Sequence, residues 1–125
     1  MPYLNKSILL GYLTADPELR CTTGGTPFCN FTIAQNFRTP EGEEGRAEFY
    51  ECTVWRGWAE IFVRAAQKGT LVLVEGRLRQ DQWDDPETGK KRSRLKVQAQ
   101  LVVAIPRNPD LCDPKEEKAE EPITL

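Results

Sequence analysis

Residues 91 to 105 alternate between apolar and polar with hardly a break. Leu95, Val97, Ala99, Leu101 and Val103 fall on one side, and Arg92, Arg94, Lys96, Gln98 and Gln100 on the other. Only a β-strand, with its side-chain period of two, collects all five apolar groups on one face. That face belongs to a core, and the opposite face is a cationic row. The same reading finds four more strands. Leu4 to Leu13 is rich in Ile, Leu and Tyr and stops at the turn signal Ala15-Asp16-Pro17-Glu18. After a second turn, Gly24-Gly25-Thr26-Pro27, the stretch Phe28 to Asn36 alternates with Cys29, Phe31 and Ile33 on one side. Arg46 to Arg56 carries the β-formers Phe49, Tyr50, Thr53, Val54 and Trp55. Thr70 to Leu78 is the fourth strand, joined to the fifth through the hairpin turn Asp84-Asp85-Pro86-Glu87-Thr88-Gly89.

One segment departs from the period of two. Trp58, Ile61, Phe62 and Ala65 recur at helical spacing between Gly57 and Lys68-Gly69. This predicts a helix of about three turns. Trp58 lies on its buried stripe, Gly69 forms a left-handed C-cap, and Lys68 complements the dipole of the last turn. Five strands with one helix between the third and fourth give an all-β, five-stranded barrel of the oligonucleotide/oligosaccharide-binding (OB) type. A ferredoxin-like sandwich would need a second helix.

The chain has 125 residues, the length of one ordinary domain. Its net charge of −2 hides a division: residues 1–105 carry 14 Lys and Arg against 13 Asp and Glu, and residues 106–125 carry 3 against 6. The end of the chain also holds four prolines and few apolar groups. Such a composition does not repay the entropy of ordering. The expected organisation is a barrel over 1–106 and a disordered acidic tail over 107–125.

The composition also excludes chemistry. There is no His, so His-dependent triads and His-rich metal sites are out. Cys21, Cys29, Cys52 and Cys112 contain no Cys-x-x-Cys pair, which argues against zinc and for reduced, mostly buried thiols. Gly24-Gly25 lacks the context of a phosphate-cradling loop, and no nucleophile–base pair can be assembled. No metal, no cofactor and no enzymatic activity are expected. The apolar stretches are too short to cross a bilayer, and residues 1–6 lack a secretion signal, so a cytoplasmic, membrane-free setting is expected.

What remains is a set of rings and cations. Single-stranded nucleic acid is held without sequence preference by aromatic stacking and a cationic groove. Glu75, Arg77, Arg79, Asp81 and Trp83 share one face of the fourth strand and its extension, while Val72, Val74 and Leu78 take the core face. Trp83 is therefore an aromatic on a polar face beside arginines. The third strand has aromatics on both faces. Cys52 and Val54 make the better core, which leaves Phe49 and Trp55 outward, about 20 Å apart at ~3.3 Å per residue. In the alternative, Trp55 packs with Trp58 beneath the helix. Phe37 and Arg38 open the polar loop after the second strand, Arg56 follows Trp55, and Arg92, Arg94 and Lys96 make a candidate phosphate track.

These residues lie within a wider pattern. Asn5-Lys6-Ser7-Ile8-Leu9-Leu10-Gly11-Tyr12-Leu13-Thr14-Ala15-Asp16-Pro17-Glu18-Leu19-Arg20 resembles the opening of bacterial single-stranded DNA-binding proteins. Gly24-Gly25, Asn30-Phe31-Thr32-Ile33-Ala34, Trp58-Ala59-Glu60, the run Lys68 to Leu78, and Trp83-Asp84-Asp85 with Gly89 are similar to further motifs of that family, in order. The resemblance covers about residues 4–105. It implies an OB-fold that binds single-stranded DNA without sequence preference, commonly as a homotetramer, in replication, recombination and repair at the nucleoid. It also implies stacking roles for Phe37, Phe49, Trp55 and Trp83. The charge pattern read above makes Arg38, Arg56, Arg77, Arg79, Arg92, Arg94 and Lys96 the expected phosphate contacts. Tyr12, unusual within the opening motif, falls at a subunit contact in this reading. The family's acidic tip corresponds here to Glu120, Glu121, Pro122, Ile123 and Leu125, without the final aromatic and the long linker. By resemblance, the tip docks replication and repair proteins. The alternative reading is a primosome-type accessory subunit that recruits partners and binds DNA weakly.

Overall fold

The elements run β1 (Ser7–Leu13), β2 (Arg20–Cys21), β3 (Pro27–Arg38), β4 (Glu44–Trp55), α1 (Gly57–Ala65), β5 (Leu71–Asp84) and β6 (Lys91–Ile105). The computed structural model describes residues 2–38, 40–42 and 44–106, without the side chains of Arg38 and Glu44. The acidic segment 107–125 lies outside the described residues. Strand β1 pairs antiparallel with β5 from Ser7↔Gly76 to Tyr12↔Leu71, and its last residues also pair with β3 at Tyr12↔Ala34 and Leu13↔Ile33. This double pairing, with a parallel β4–β6 contact at Cys52↔Val97 and Thr53↔Gln98, closes the ring β1-β5-β6-β4-β3. A Cβ on Gly11 would lie 2.8 Å from the Ala34 carbonyl oxygen, so the crossing of β1 onto β3 requires glycine there. Five long strands closed into a barrel, with the helix between the third and fourth of them, form the OB-fold. The two-residue β2, paired to Phe28 and Pro27, is an addition that the alternation pattern did not indicate.

The barrel interior takes alternate residues from every strand: Leu13, Cys29, Phe31, Ile33, Cys52, Val54, Val72, Val74 and Val97 are all buried. The helix closes one end, but on a face rotated by one residue from the expected stripe. Ala59, Phe62 and Ala66 are buried, whereas Trp58 is 43% exposed and Ile61 more so. Ala59 and Phe62, with Val63 packed partly against the core, form an equally regular stripe with smaller side chains. They bring the helix close enough for Phe62 to meet Phe31 at 4.6 Å between centroids. Burial of Phe62 contributes about 1.5–3 kcal/mol. The helix also ends earlier than its glycine: Ala66 is the cap with extended backbone, and Gly69 (φ 90°) turns the following loop, donating its N–H to Leu13 O at 2.8 Å.

Three strand positions read as core are not. In β6 the register against β5 shifts between Ala99 and Leu101, which leaves Gln100 as an extra residue. A bulge of one residue reverses the parity beyond it. Val97 and Ala99 face inward, then Val102 replaces Val103, and Val103 is exposed. Opposite the bulge sits Gly76, where a Cβ would meet the Gln98 carbonyl oxygen at 2.1 Å. Beyond it, β5 and the first half of β6 extend past the barrel as a two-stranded arm, so Leu78 and Leu95 are exposed as well. Asn5 braces the arm's base: its amide donates to Leu78 O at 2.8 Å and accepts the Leu78 N–H at 2.9 Å.

Candidate nucleic-acid interface

The outward face of β3 and β4 is built by the same parity that fills the core. Phe28, Asn30 and Thr32 alternate with Cys29, Phe31 and Ile33, and across the ladder Phe28 stands opposite Trp55 and Asn30 opposite Thr53. Trp55 is half-buried, not against the helix but against Phe28, with centroids 4.9 Å apart and planes tilted by 30°. Phe49 lies six residues back on the same face and is 64% exposed. An exposed ring of that size on a strand face has no packing role in the described chain.

The arm supplies the second wall. Arg77, Arg79, Asp81 and Trp83 of β5 stand opposite Gln98, Lys96, Arg94 and Arg92 of β6, so all eight share one face. Trp83 is 42% exposed, and the Arg94 guanidinium carbon lies 5.7 Å from its ring centroid. That distance is within cation–π range. The cations of β6 are not bare. Arg92 Nε donates to Asp85 at 2.9 Å, Arg94 Nε reaches Glu51 at 3.4 Å, and Lys96 lies 3.4 Å from Asp81. Asp85 also accepts the Glu87 N–H at the hairpin tip. That bond first, and Arg92 after it, hold the Asp85 carboxyl below its ordinary pKa. The Glu51–Arg94 pair spans two strands far apart in sequence, which single-strand parity does not reveal.

Between the two walls lies an open cleft of about 260 Å³. Phe28 and Trp55 form its aromatic side, Arg79, Asp81 and Lys96 its charged side, and Asn30, Thr53 and Gln98 its floor. Thr53 is buried and donates its hydroxyl to Asn30 Oδ1 at 2.7 Å. Arg79 Nη1 donates to Gln98 Oε1 at 3.1 Å. The volume is just under the ~300 Å³ at which pockets for drug-sized ligands begin. It is suited to one flat ring.

Of the expected site residues, the structure brings Trp55, Arg79 and Lys96 to the cleft, sets Arg77, Trp83, Arg92 and Arg94 on the same face of the arm, and leaves Phe49 exposed on β4. Phe37 is half-buried within β3, not in the loop, at the register shift between Asn36 and Arg38. Arg38 ends β3 opposite Glu44, and its side chain is outside the described part. Arg56 is exposed at the start of α1 with φ 63°, and its N–H is held by Pro27 O at 2.8 Å. Glu120, Glu121, Pro122, Ile123 and Leu125 lie outside the described residues. Phe28, Asn30, Thr53 and Gln98 were not among the expected site residues. Phe28 and Asn30 share the outward parity of β3, and Thr53 that of Trp55, so the signal was present in the alternation. Among the described residues, no group of three His, Cys, Asp or Glu could hold a metal ion, and no helix is long and apolar enough to cross a membrane.

Comparison with known proteins decides the family. Residues 4–105 match the profile of the Single-strand binding protein family. The chain belongs to that family. Among its curated relatives, the Single-stranded DNA-binding protein of Lactiplantibacillus plantarum is 41% identical over 85 residues, 67% of this chain and 42% of that protein. The protein of the same name from Halalkalibacterium halodurans is 41% identical over 101 residues, covering 79% of this chain and 59% of the relative. That from Thermotoga maritima is 39% identical over 113 residues, covering 87% and 79%. The chain spans about half the length of the first two. The matched region of the single-strand binding family coincides with the barrel and its arm, and so includes every groove residue described above.

Proposed function

We propose that the chain binds single-stranded DNA without sequence preference, and that it protects and organises exposed strands in replication, recombination and repair at the bacterial nucleoid in the cytoplasm. The observation that carries this reading is the outward face of β3 and β4 that bears Phe49 and the Phe28–Trp55 pair, set beside the face of the arm that bears Trp83, with arginines and Lys96 alongside. These rings give flat bases a stacking surface, and the cations among them neutralise phosphates. The names of the relatives point the same way. No step needs a nucleophile or a metal, and we read the chain as a binding protein, not an enzyme.

The reading includes self-association. Ile8 and Leu10 of β1 are exposed, and Leu10 pairs with Leu73, which pairs in turn with Val103. This apolar row lies on the outside of the barrel, away from the groove. A second copy of the chain is its proposed occupant, in a homotetramer, with Tyr12 at its margin. Docking of replication and repair proteins on the tip Glu120 to Leu125 belongs to the same proposal.

Titration with oligo-dT, followed by tryptophan emission, tests the central claim. Stacking of bases on Trp55 and Trp83 gives strong quenching that saturates, and affinity that falls steeply with salt. Little quenching at moderate salt would favour a partner-recruiting subunit. Light scattering on the same samples reads the assembly state.

A further inference from the structure

The floor of the cleft has a polarity that sequence-independent stacking does not use. Arg79 donates to Gln98 Oε1. A guanidinium can only donate, so the oxygen end of the Gln98 amide is the end that faces it, and the NH2 group is the end left over. Among the described residues that nitrogen has no hydrogen-bond partner. Asn30 repeats the arrangement: its Oδ1 accepts from the buried Thr53 hydroxyl, and its NH2 is likewise unpartnered among the described residues. Two amide NH2 groups, Arg79 and Lys96 make the cleft rich in donors. Its one carboxylate, Asp81, already faces Lys96.

We infer that Gln98, oriented by Arg79, makes the cleft beside Trp55 a base subsite that favours a ring carbonyl over an exocyclic amino group. The inference rests on the single-strand-binding reading of this groove and adds a local chemical bias to it. A base stacked on the Trp55 side presents its edge to the floor. A carbonyl oxygen there accepts from the Gln98 amide, and an amino group sets donor against donor. An unmade bond of this kind is costly in a half-buried site. Gln98 is thus a specificity-determining residue and Arg79 its positioning residue.

Uracil and cytosine test this directly, because they carry the same ring on the same backbone and differ in the 4-oxo or 4-amino group and the matching N3 proton. Binding of oligo-dU and oligo-dC of equal length is measured at pH 8 for the full chain and for Gln98→Ala and Gln98→Glu. The full chain should favour dU by about two- to tenfold, the range one neutral hydrogen bond supplies. Gln98→Ala should level the ratio, chiefly by losing affinity for dU, and a thermal melt like that of the full chain shows that it is folded. Gln98→Glu, with acceptors only, should bind both more weakly and favour dC. Equal binding of dU and dC by the full chain overturns the subsite and leaves single-strand binding standing. So does a Gln98→Ala variant that weakens both oligomers alike, since Gln98 would then serve only to hold Arg79. Failure of the full chain to bind either oligomer overturns the parent reading and this one with it.

Discussion

Arg94 stands over Trp83, its guanidinium carbon 5.7 Å from the ring centroid, and its Nε reaches Glu51 at 3.4 Å. The contact fixes the indole on an arm that has no core of its own. A ring held on one side by a cation keeps its other side for a base and loses little rotamer freedom when one stacks there.

Trp83→Ala should therefore lower affinity for oligo-dT by about 1–3 kcal/mol, the range alanine substitution gives for base–aromatic stacking in single-strand-binding folds. Its melting temperature should hardly move, since surface substitutions outside a core stay within about 0.5 kcal/mol. Trp55→Ala should lose similar affinity and also destabilise the barrel by about 0.5–1.5 kcal/mol, because it removes the Phe28 contact at 4.9 Å. Fluorescence polarisation of labelled oligo-dT and thermal melts separate the two effects. Unchanged affinity in both variants would put the stacking face elsewhere.

Arg92, Arg94 and Lys96 of β6 each carry a carboxylate at 2.9 to 3.4 Å. Phosphates must displace these partners. Exposed pairs contribute about 0–1 kcal/mol to stability, so their removal should cost the fold little. Glu51→Gln and Asp81→Asn should each raise DNA affinity about threefold to tenfold at low salt, with the gain fading as salt screens the groove. Titrations at two ionic strengths check this. A gain that persists at high salt would mean that the carboxylates act by shape and not by charge.

The acidic segment 107–125 should compete in the same way, with six carboxylates against three cations. Deleting it should leave the melting temperature unchanged and tighten binding at low salt. Weaker binding by the shortened chain would assign the segment a supporting role instead.

Much of this was legible in the alternation. Cys29, Phe31 and Ile33, then Cys52 and Val54, fall inward as their parity requires, and Phe49 and Trp83 fall outward. The failures share one cause: local periodicity does not record where a strand gains a residue or leaves the barrel. Gln100 shifts the phase of β6, so Val102 and not Val103 is buried. Leu78 and Leu95 keep a core parity on an arm with no core beneath it. On α1 two stripes of similar amphipathicity competed, and the smaller residues won because they let Phe62 seat on Phe31. The cleft floor was hidden for another reason. Gln98 meets Thr53 through a parallel pairing of β4 with β6, a contact that only barrel closure creates.

Gly76 marks the bulge, and the space around it is closed. A Cβ there would sit 2.1 Å from the Gln98 carbonyl oxygen and 2.8 Å from its carbon. Backbone atoms on a paired strand cannot yield as a flexible side chain would. Gly76→Ala should destabilise the barrel by about 3 kcal/mol or more, among the larger single-residue effects. Gly57→Ala is the control, since nothing lies within 4 Å of its Cβ position and its φ is not positive. At the first helical residue it should be neutral or stabilising by up to about 1 kcal/mol. Denaturant melts of the two variants measure the contrast. Equal stabilities would mean that β6 re-registers without its bulge.

The thiols give a test that depends on pH. Burial, with Glu51 adding to it, pushes the Cys52 thiol from an ordinary value near 9 to about 12. Burial also raises Cys29, while Cys21 is exposed on β2. Unfolded Cys52 gives up its proton near 9, and folded Cys52 keeps it to about 12. Across that window the unfolded state binds fewer protons, so stability falls as pH rises, and below it this thiol contributes no slope. Cys52→Ala should start less stable near neutral pH, because it leaves a void, yet lose less between pH 9 and 11. In a Cys112→Ser background at pH 8, a chromogenic disulfide reagent should titrate Cys21 at once, and Cys29 and Cys52 only as the barrel opens. Three fast thiols would contradict the burial of both core cysteines.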